Sequence, residues 1–353
     1  MVNKILSIII PTYNMELYLK RCIDSLVTAK QTLGDTEIIV VNDGSKDKSL
    51  SIANGYKELY PESLIVIDKT NGNYGSCINA ALKIASGKYI KVLDADDWFN
   101  TNALVEFVMC LKSLDVDLVL TDYTVCFENS NIRKKHVFPF VENKEYSSSL
   151  MHDSNFQKMQ MHCVTYRTEM LRKFKYFQTE GISYTDQEWI LYPMAYVRKI
   201  SYFRLNLYQY LLGRAGQTMD VNILAKNVRH SVIIAERMVK DSVSWYKTEF
   251  TLPQRKYCIE RMLLYIRSIY KLVLLNSDNV ENVNLLIKLD DLISSTNRAF
   301  YKDLALCTIH DKFFPFHFIN YFHNHHKRLP SFIIFINKWM KFVQNKLYNC
   351  KVM

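Results

Sequence analysis

The first third of the chain alternates between two hydrophobic periods. Short runs rich in Ile and Val at Leu6–Ile10, Glu37–Asn42, Leu64–Asp68 and Tyr89–Leu93 each end in turn residues or charge, as strands buried on both faces do. Between them, apolar positions recur at helical spacing over Met15–Val27, Lys48–Tyr60 and Tyr74–Ala85, then over Thr101–Ser113 ahead of another apolar run at Asp117–Leu120. This alternation predicts βαβ units, hence an α/β fold with a mainly parallel sheet whose strands bring their C-terminal ends to one edge. From 121 to 215 the pattern is irregular and predicts no topology. Beyond about 220 it becomes helical, as over Asn227–Val243 and Arg255–Leu275, with a polar break at Asn276–Asn284. The expected division is a domain over 1–220 followed by a helical region over 221–353.

Composition removes several classes. With 353 residues, 49% hydrophobic and 13% aromatic, the chain can build a large core and is not disordered. The net charge of +10 is unevenly placed: residues 1–220 hold 25 basic and 25 acidic side chains, residues 221–353 hold 20 and 10. Eight cysteines without a CxxC pair read as reduced thiols of a cytoplasmic protein. Leu6–Ile10 stops at Pro11, too short for the core of a signal peptide, and no apolar run reaches the roughly 18 residues of a membrane span.

Open α/β sheets bind ligands just past the strand ends. Those positions hold Pro11-Thr12-Tyr13-Asn14, Asp43-Gly44-Ser45, Asn71-Gly72-Asn73-Tyr74-Gly75-Ser76 and Asp94-Ala95-Asp96-Asp97. Three carboxylates within four residues repel one another unless a cation compensates. Mg²⁺ or Mn²⁺, held by one or two carboxylates together with substrate phosphates, is the natural compensator, and Asp96 is its first candidate ligand. Asp97 has a second reading, as a solvated group or a cap for the helix starting near Asn100. Asp43 and Tyr13 suit a flat polar ring, one accepting from an N–H and the other stacking. Gly72 and Gly75 allow close backbone approach at a helix start, which favours an anion. The full GxGxxG and Walker A patterns are absent, against dinucleotide folds and P-loop NTPases.

The ordered set Ser7-Ile8-Ile9-Ile10-Pro11-Thr12-Tyr13-Asn14, Val40-Val41-Asn42-Asp43-Gly44-Ser45, Asn79, Gly87-Lys88-Tyr89-Ile90 and Leu93-Asp94-Ala95-Asp96-Asp97 resembles the family-2 glycosyltransferases with the GT-A fold. A weaker resemblance, to enzymes of bacterial capsule and exopolysaccharide assembly, continues through Tyr184–Trp189 and Tyr210–Gln217. The resemblance implies a nucleotide-sugar donor, a UDP-sugar, and a saccharide or lipid-linked saccharide acceptor. It assigns 1–120 to the donor, with Thr12, Tyr13 and Asp43 at the base, Asp94 near the ribose and phosphates, and Asp96 on a Mn²⁺ or Mg²⁺ ion; Pro11, Gly72, Gly75 and Ala95 are counted with the same nucleotide-sugar site. It assigns 121–220 to the acceptor, with Asp186 as catalytic base. Thr185 stands where the commoner pattern has an acidic residue, and Glu188 is a rival base. Inversion at the anomeric carbon is the expected outcome.

Other residues carry two readings. Arg214 reaches donor phosphates or is ordinary surface charge. Cys77 reads as a packed thiol rather than a nucleophile, and His162 as a hydrogen-bonded structural residue rather than part of the acceptor wall. His317, His323, His325 and His326 lack the spacing of a zinc site and read as solvated or interfacial. Ser331–Tyr348 places Phe332, Phe335, Ile336, Trp339, Phe342, Val343 and Leu347 against lysines, a basic amphipathic helix that either packs on the domain or lies on the inner face of the cell membrane. No nucleic-acid motif accompanies the charge. Two rival functions remain at this level. One is a phosphatase of the haloacid-dehalogenase type, disfavoured because the acidic motif follows the fourth strand; the other is a non-catalytic glycan-binding or scaffold subunit.

Overall fold

A computed structural model describes residues 4–128, 130–214, 217, 221–245, 251–276, 279–309, 315–326 and 328–350, without the side chains of 221–222, 276 and 341–350. The chain forms two compact units, Met1–Gln217 with Phe250–Cys258, and Thr218–Glu249 with Ile259–Met353.

The first unit is a mixed α/β layer structure. Its strands are β1 (Leu6–Thr12), β2 (Thr36–Asn42), β3 (Leu64–Asp68), β4 (Tyr89–Val92), β5 (Trp98–Phe99), β6 (Leu118–Phe127), β7 (Arg133–His136), β8 (Glu145–Ser147), β9 (Val164–Arg167) and β10 (Lys199–Leu212). Helices α1 (Leu19–Val27), α2 (Ser49–Leu59), α3 (Asn73–Ile84), α4 (Thr101–Ser113), α5 (Thr168–Lys173) and α6 (Asp186–Leu191) connect them. The sheet runs β3-β2-β1-β4-β9-β6-β10-β5, with β7 on β6 and β8 on β10. β1, β2, β3 and β4 pair in parallel, as do β6 and β10; β9 runs against both β4 and β6. Every residue of β2 is buried, as an inner parallel strand covered on both faces requires. Because β9 reverses direction between them, β10 points the same way as β4, so its end arrives at the same sheet edge.

The segment that predicted no topology therefore holds half of the sheet. Three side chains from the start of the long helix α9 (Leu252–Asn276) complete this unit: Gln254 Nε2 donates to the Val197 carbonyl at 2.7 Å, Tyr257 Oη to that of Ile190 at 2.9 Å, and the Cys258 thiol approaches that of Leu191 at 3.9 Å.

The second unit contains α7 (Val221–Lys226), α8 (Val228–Trp245), the remainder of α9, α10 (Val280–Thr296), α11 (Arg298–Ala305), α12 (Phe318–His325) and α13 (Ser331–Cys350). Asp290 is buried in this unit, and its carboxylate accepts from the Tyr270 hydroxyl and, at 3.2 Å, from that of Tyr301. His323 Nε2 lies 3.0 Å and His326 Nε2 3.5 Å from the same carboxylate. His323 is therefore buried beside an acid rather than solvated. On α13, Phe332, Phe335 and Trp339 of the predicted apolar stripe are exposed, while Ile333 and Asn337, which lie outside that stripe, are the buried positions. Phe342, Val343 and Leu347 lie outside the described side chains. Among the described residues, no helix is long and apolar enough to cross a membrane.

Candidate active site

The four strand ends converge. Asp43 follows β2 and is almost fully buried; its Oδ1 accepts from Lys69 Nζ at 2.6 Å and from the Gly72 N–H at 2.9 Å. Lys69 also donates to Ser76 Oγ at 2.8 Å, tying the end of β3 to the start of α3. The Asp43 N–H donates to the Thr12 carbonyl at 2.8 Å, which fixes the acid beside β1. Pro11 is half-buried and Thr12 buried, whereas Tyr13, 44% exposed, presents its ring at the surface. This corner has a carboxylate edge and an available aromatic face, as recognition of a heterocyclic base needs.

The two glycines have packing reasons. A Cβ on Gly72 would fall 2.7 Å from Ser76 Oγ, and one on Gly75 would fall 2.1 Å from the Thr179 carbonyl oxygen. Gly75 is buried against the 178–179 segment, which replaces the expectation that it opens the backbone to an anion. Asn79 explains the same junction: its side chain donates to the Gln178 carbonyl at 2.8 Å and accepts the Gln178 N–H at 2.9 Å.

At the end of β4, one carboxylate oxygen from each of Asp94, Asp96 and Asp97 lies within 4.8 Å of the others. Asp97 neither caps a helix nor meets solvent; Asn100 caps α4, accepting from the Ala103 N–H at 3.0 Å. Asp97 Oδ1 accepts from the Leu211 N–H and Oδ2 from the Tyr208 hydroxyl, both at 2.7 Å, so it bolts the loop to β10. Burial, then the Asp96 charge, raises its proton affinity well above the carboxylate range. Asp94 Oδ1 accepts from the Tyr74 hydroxyl at 2.9 Å, and burial followed by the Asp96 charge pushes its pKa up to about 7. Asp96 pairs with Arg214, and Ala95 is buried between the two acids.

Hard oxygen donors this close, with no thiolate or imidazole among them, fit Mg²⁺ or Mn²⁺. Since both Asp97 oxygens are taken, Asp96 and Asp94 are the residues that would hold the ion.

Asp186 opens α6 and acts electrostatically on Tyr74, Asp94 and Tyr210, which puts its charge at the same edge. Gln187 Nε2 donates to its Oδ2 at 2.9 Å. Glu188 is different: it is fully buried, accepting from the Thr179 N–H and Oγ1 at 2.7 Å each. It holds the 179–188 turn together.

Several contributors were invisible in sequence. Tyr74 and Tyr208 look like ordinary aromatic positions, yet their hydroxyls address Asp94 and Asp97. Lys91, in the middle of β4, is fully buried and donates to the carbonyls of His162 at 2.8 Å and Val164 at 3.2 Å. A lysine inside an apolar strand was the available signal. His162 is not the hydrogen-bonded residue expected: Nδ1 finds no partner among the described residues, the ring stacks on Tyr210 at 4.4 Å, and burial pulls its pKa down to about 3. Cys77 is buried and its thiol is pushed up to about 12, as expected of an inert packed thiol.

Comparison with known proteins agrees with this architecture. Residues 7–177 match the model of glycosyl transferase family 2. A poly(ribitol-phosphate) beta-glucosyltransferase of Bacillus spizizenii is 31% identical over 232 residues, 61% of this chain; the match spans 33% of that relative's length. Among solved structures, residues 1–349 of S. aureus TarS superpose with a TM-score of 0.59 at 20% identity, covering 84% of this chain and 82% of that one. Their complex with UDP-GlcNAc gives 0.52 at the same identity, covering 85% and 91%. These likenesses establish the GT-A fold. The strand-end motifs at Thr12, Asp43 and Asp94–Asp97 all fall inside the family match, so residues 7–177 are a glycosyl transferase family 2 domain.

Proposed function

We propose that the protein transfers a hexose from a UDP-sugar to a hydroxyl of a surface glycan or lipid-linked saccharide, with inversion at the anomeric carbon. The observation that carries this reading is the meeting of Asp43, Asp94, Asp96 and Asp186 at one sheet edge, from three separate segments: the end of β2, the loop after β4 and the start of α6. The TarS complex with UDP-GlcNAc supports a uridine donor, and the relative named for β-glucosyl transfer to poly(ribitol phosphate) supports a phosphate-rich surface polymer as acceptor.

In this reading Tyr13 stacks on the base while Asp43, oriented by Lys69 and Gly72, accepts its N–H. A divalent cation bound by Asp96 and Asp94 would neutralise the diphosphate as it leaves. Asp186 removes the proton of the acceptor hydroxyl, which then attacks the anomeric carbon from the side opposite the diphosphate. An α-linked donor then gives a β-linked product.

The helical unit carries the exposed Phe332, Phe335 and Trp339 of α13 in a stretch, 312–353, that has seven Lys and Arg and no Asp or Glu. Such a face suits an anionic membrane surface, where lipid-linked acceptors reside, and we place the protein at the inner face of the cell membrane. Flotation with phosphatidylglycerol vesicles tests this part: replacing the three aromatics by Ser abolishes binding, and unchanged binding rejects it.

Proton NMR of the product formed by the full chain from UDP-glucose or UDP-GlcNAc, Mn²⁺ and poly(ribitol phosphate) tests the whole. A β-linkage supports it, and an α-linkage from the α-donor overturns inversion. A folded protein that neither transfers nor hydrolyses any nucleotide-sugar would instead be a glycan-binding subunit.

A further inference from the structure

The carboxylate cluster already has a cation, and the chain itself supplies it. Arg214 follows Gly213, whose φ of +98° turns the chain sharply at the end of β10. Gln217 fastens this turn, accepting the Gly213 N–H at 2.9 Å and donating to the Leu211 carbonyl at 2.9 Å. From there Arg214 Nε donates to Asp96 Oδ2, with the two side chains only 14% and 10% exposed. Its guanidinium lies 5.6 Å from the centre of the Tyr18 ring, which is held by a hydrogen bond from its hydroxyl to Glu128 at 3.1 Å. Arg21, nearby, is engaged differently: it donates to the Asp96 main-chain carbonyl at 2.7 Å and stacks 4.0 Å over Trp98.

Arg214 therefore occupies the carboxylate that a divalent cation would need. The two positive charges compete for Asp96 in an environment where each is poorly solvated. A guanidinium also matches phosphate oxygens well, through its planar fork of donors.

Resting on the nucleotide-sugar reading above, we propose that Arg214 is an internal counter-ion that exchanges partners. It holds Asp96 when the site lacks donor and moves to the donor's diphosphate when cation and nucleotide enter together. The exchange opposes the cation alone and favours cation with nucleotide, so it couples the two binding events. By linkage the coupling is reciprocal.

Calorimetry with MnCl₂, and paramagnetic resonance of free Mn²⁺, test this on the full-length protein with and without UDP. For Arg214→Met, Mn²⁺ alone binds about tenfold more tightly than to the wild type, the loss of one charge-assisted contact to Asp96. UDP tightens Mn²⁺ binding strongly in the wild type and much less in the variant. Arg214→Lys, which keeps the charge, retains wild-type weakness toward Mn²⁺ alone. Matching melting curves establish that the variants are folded. Wild-type and Arg214→Met proteins with equal Mn²⁺ affinity, or equal UDP coupling, overturn the exchange while leaving the transferase reading intact. Absence of Mn²⁺ binding to wild type even with UDP removes the metal reading and the exchange with it.

Discussion

The hydroxyl of Tyr208 donates to Asp97 at 2.7 Å and accepts the Asp94 N–H at 3.1 Å. One oxygen from β10 thus fixes two of the three acids that follow β4, although 111 residues separate Tyr208 from Asp97. The tip of the acidic loop takes its shape from a strand laid down much later in the chain. This makes Asp97 a structural acid, both of whose carboxylate oxygens are spent on β10.

Removing that hydroxyl strands a buried carboxylate oxygen and a backbone N–H. Tyr208→Phe is expected to lower unfolding free energy by about 2 to 4 kcal/mol, within the range for losing partners of buried polar groups. Urea unfolding checks it. A midpoint equal to wild type would mean that solvent reaches both groups.

Asp186 and Glu188 should separate cleanly. Asp186→Asn is expected to lower kcat by about a hundredfold or more, the range of general-base catalysis, with UDP affinity and melting temperature unchanged. Glu188→Gln disturbs both hydrogen bonds to Thr179 and should appear first as a lower melting temperature. If kcat falls only in the second variant, the base has been assigned to the wrong acid.

The exposed ring of Tyr13 is expected to contribute through stacking alone. Tyr13→Ala should weaken UDP binding by about fivefold to tenfold, about 1 to 1.5 kcal/mol, while Tyr13→Phe leaves it near wild type. Titration calorimetry with UDP reads both values.

Burial pulls the pKa of Lys91 from the ordinary 10.5 down to about 7. Between those values the unfolded chain binds the proton and the folded one does not, so this residue makes stability rise with pH, by up to about 1.4 kcal/mol per unit. Chemical denaturation from pH 7 to pH 9 should show the rise in wild type and a flatter profile in Lys91→Met. Parallel profiles would mean that Lys91 stays charged in the fold.

The first four strands were legible because each is a short apolar run closed by turn chemistry, and the acids at their ends follow from the fold class. β10 was not, because its register shifts between Phe203 and Asn206 and again between Asn206 and Tyr208, which breaks the two-residue alternation that marks a strand. β7 was hidden for another reason: Arg133-Lys134-Lys135-His136 is a charged edge strand, and such strands carry no apolar pattern. Pairings such as Arg214 with Asp96 or Tyr74 with Asp94 depend on distances across the sheet edge, which spacing along the chain does not encode. Asp97 illustrates the converse, since its place in an acidic motif suggested exposure that burial overrules.

The helix that begins at Leu252 gives its first residues to the sheet-bearing unit and the rest to the helical one. Until Gln254 and Tyr257 arrive, the carbonyls of Val197 and Ile190 lack donors that the finished unit supplies. During synthesis the sheet-bearing unit must therefore wait, nearly complete, for about forty residues beyond its last strand to emerge from the ribosome. A recombinant fragment ending near residue 220 would inherit that same unfinished state permanently, and one ending past 258 would not.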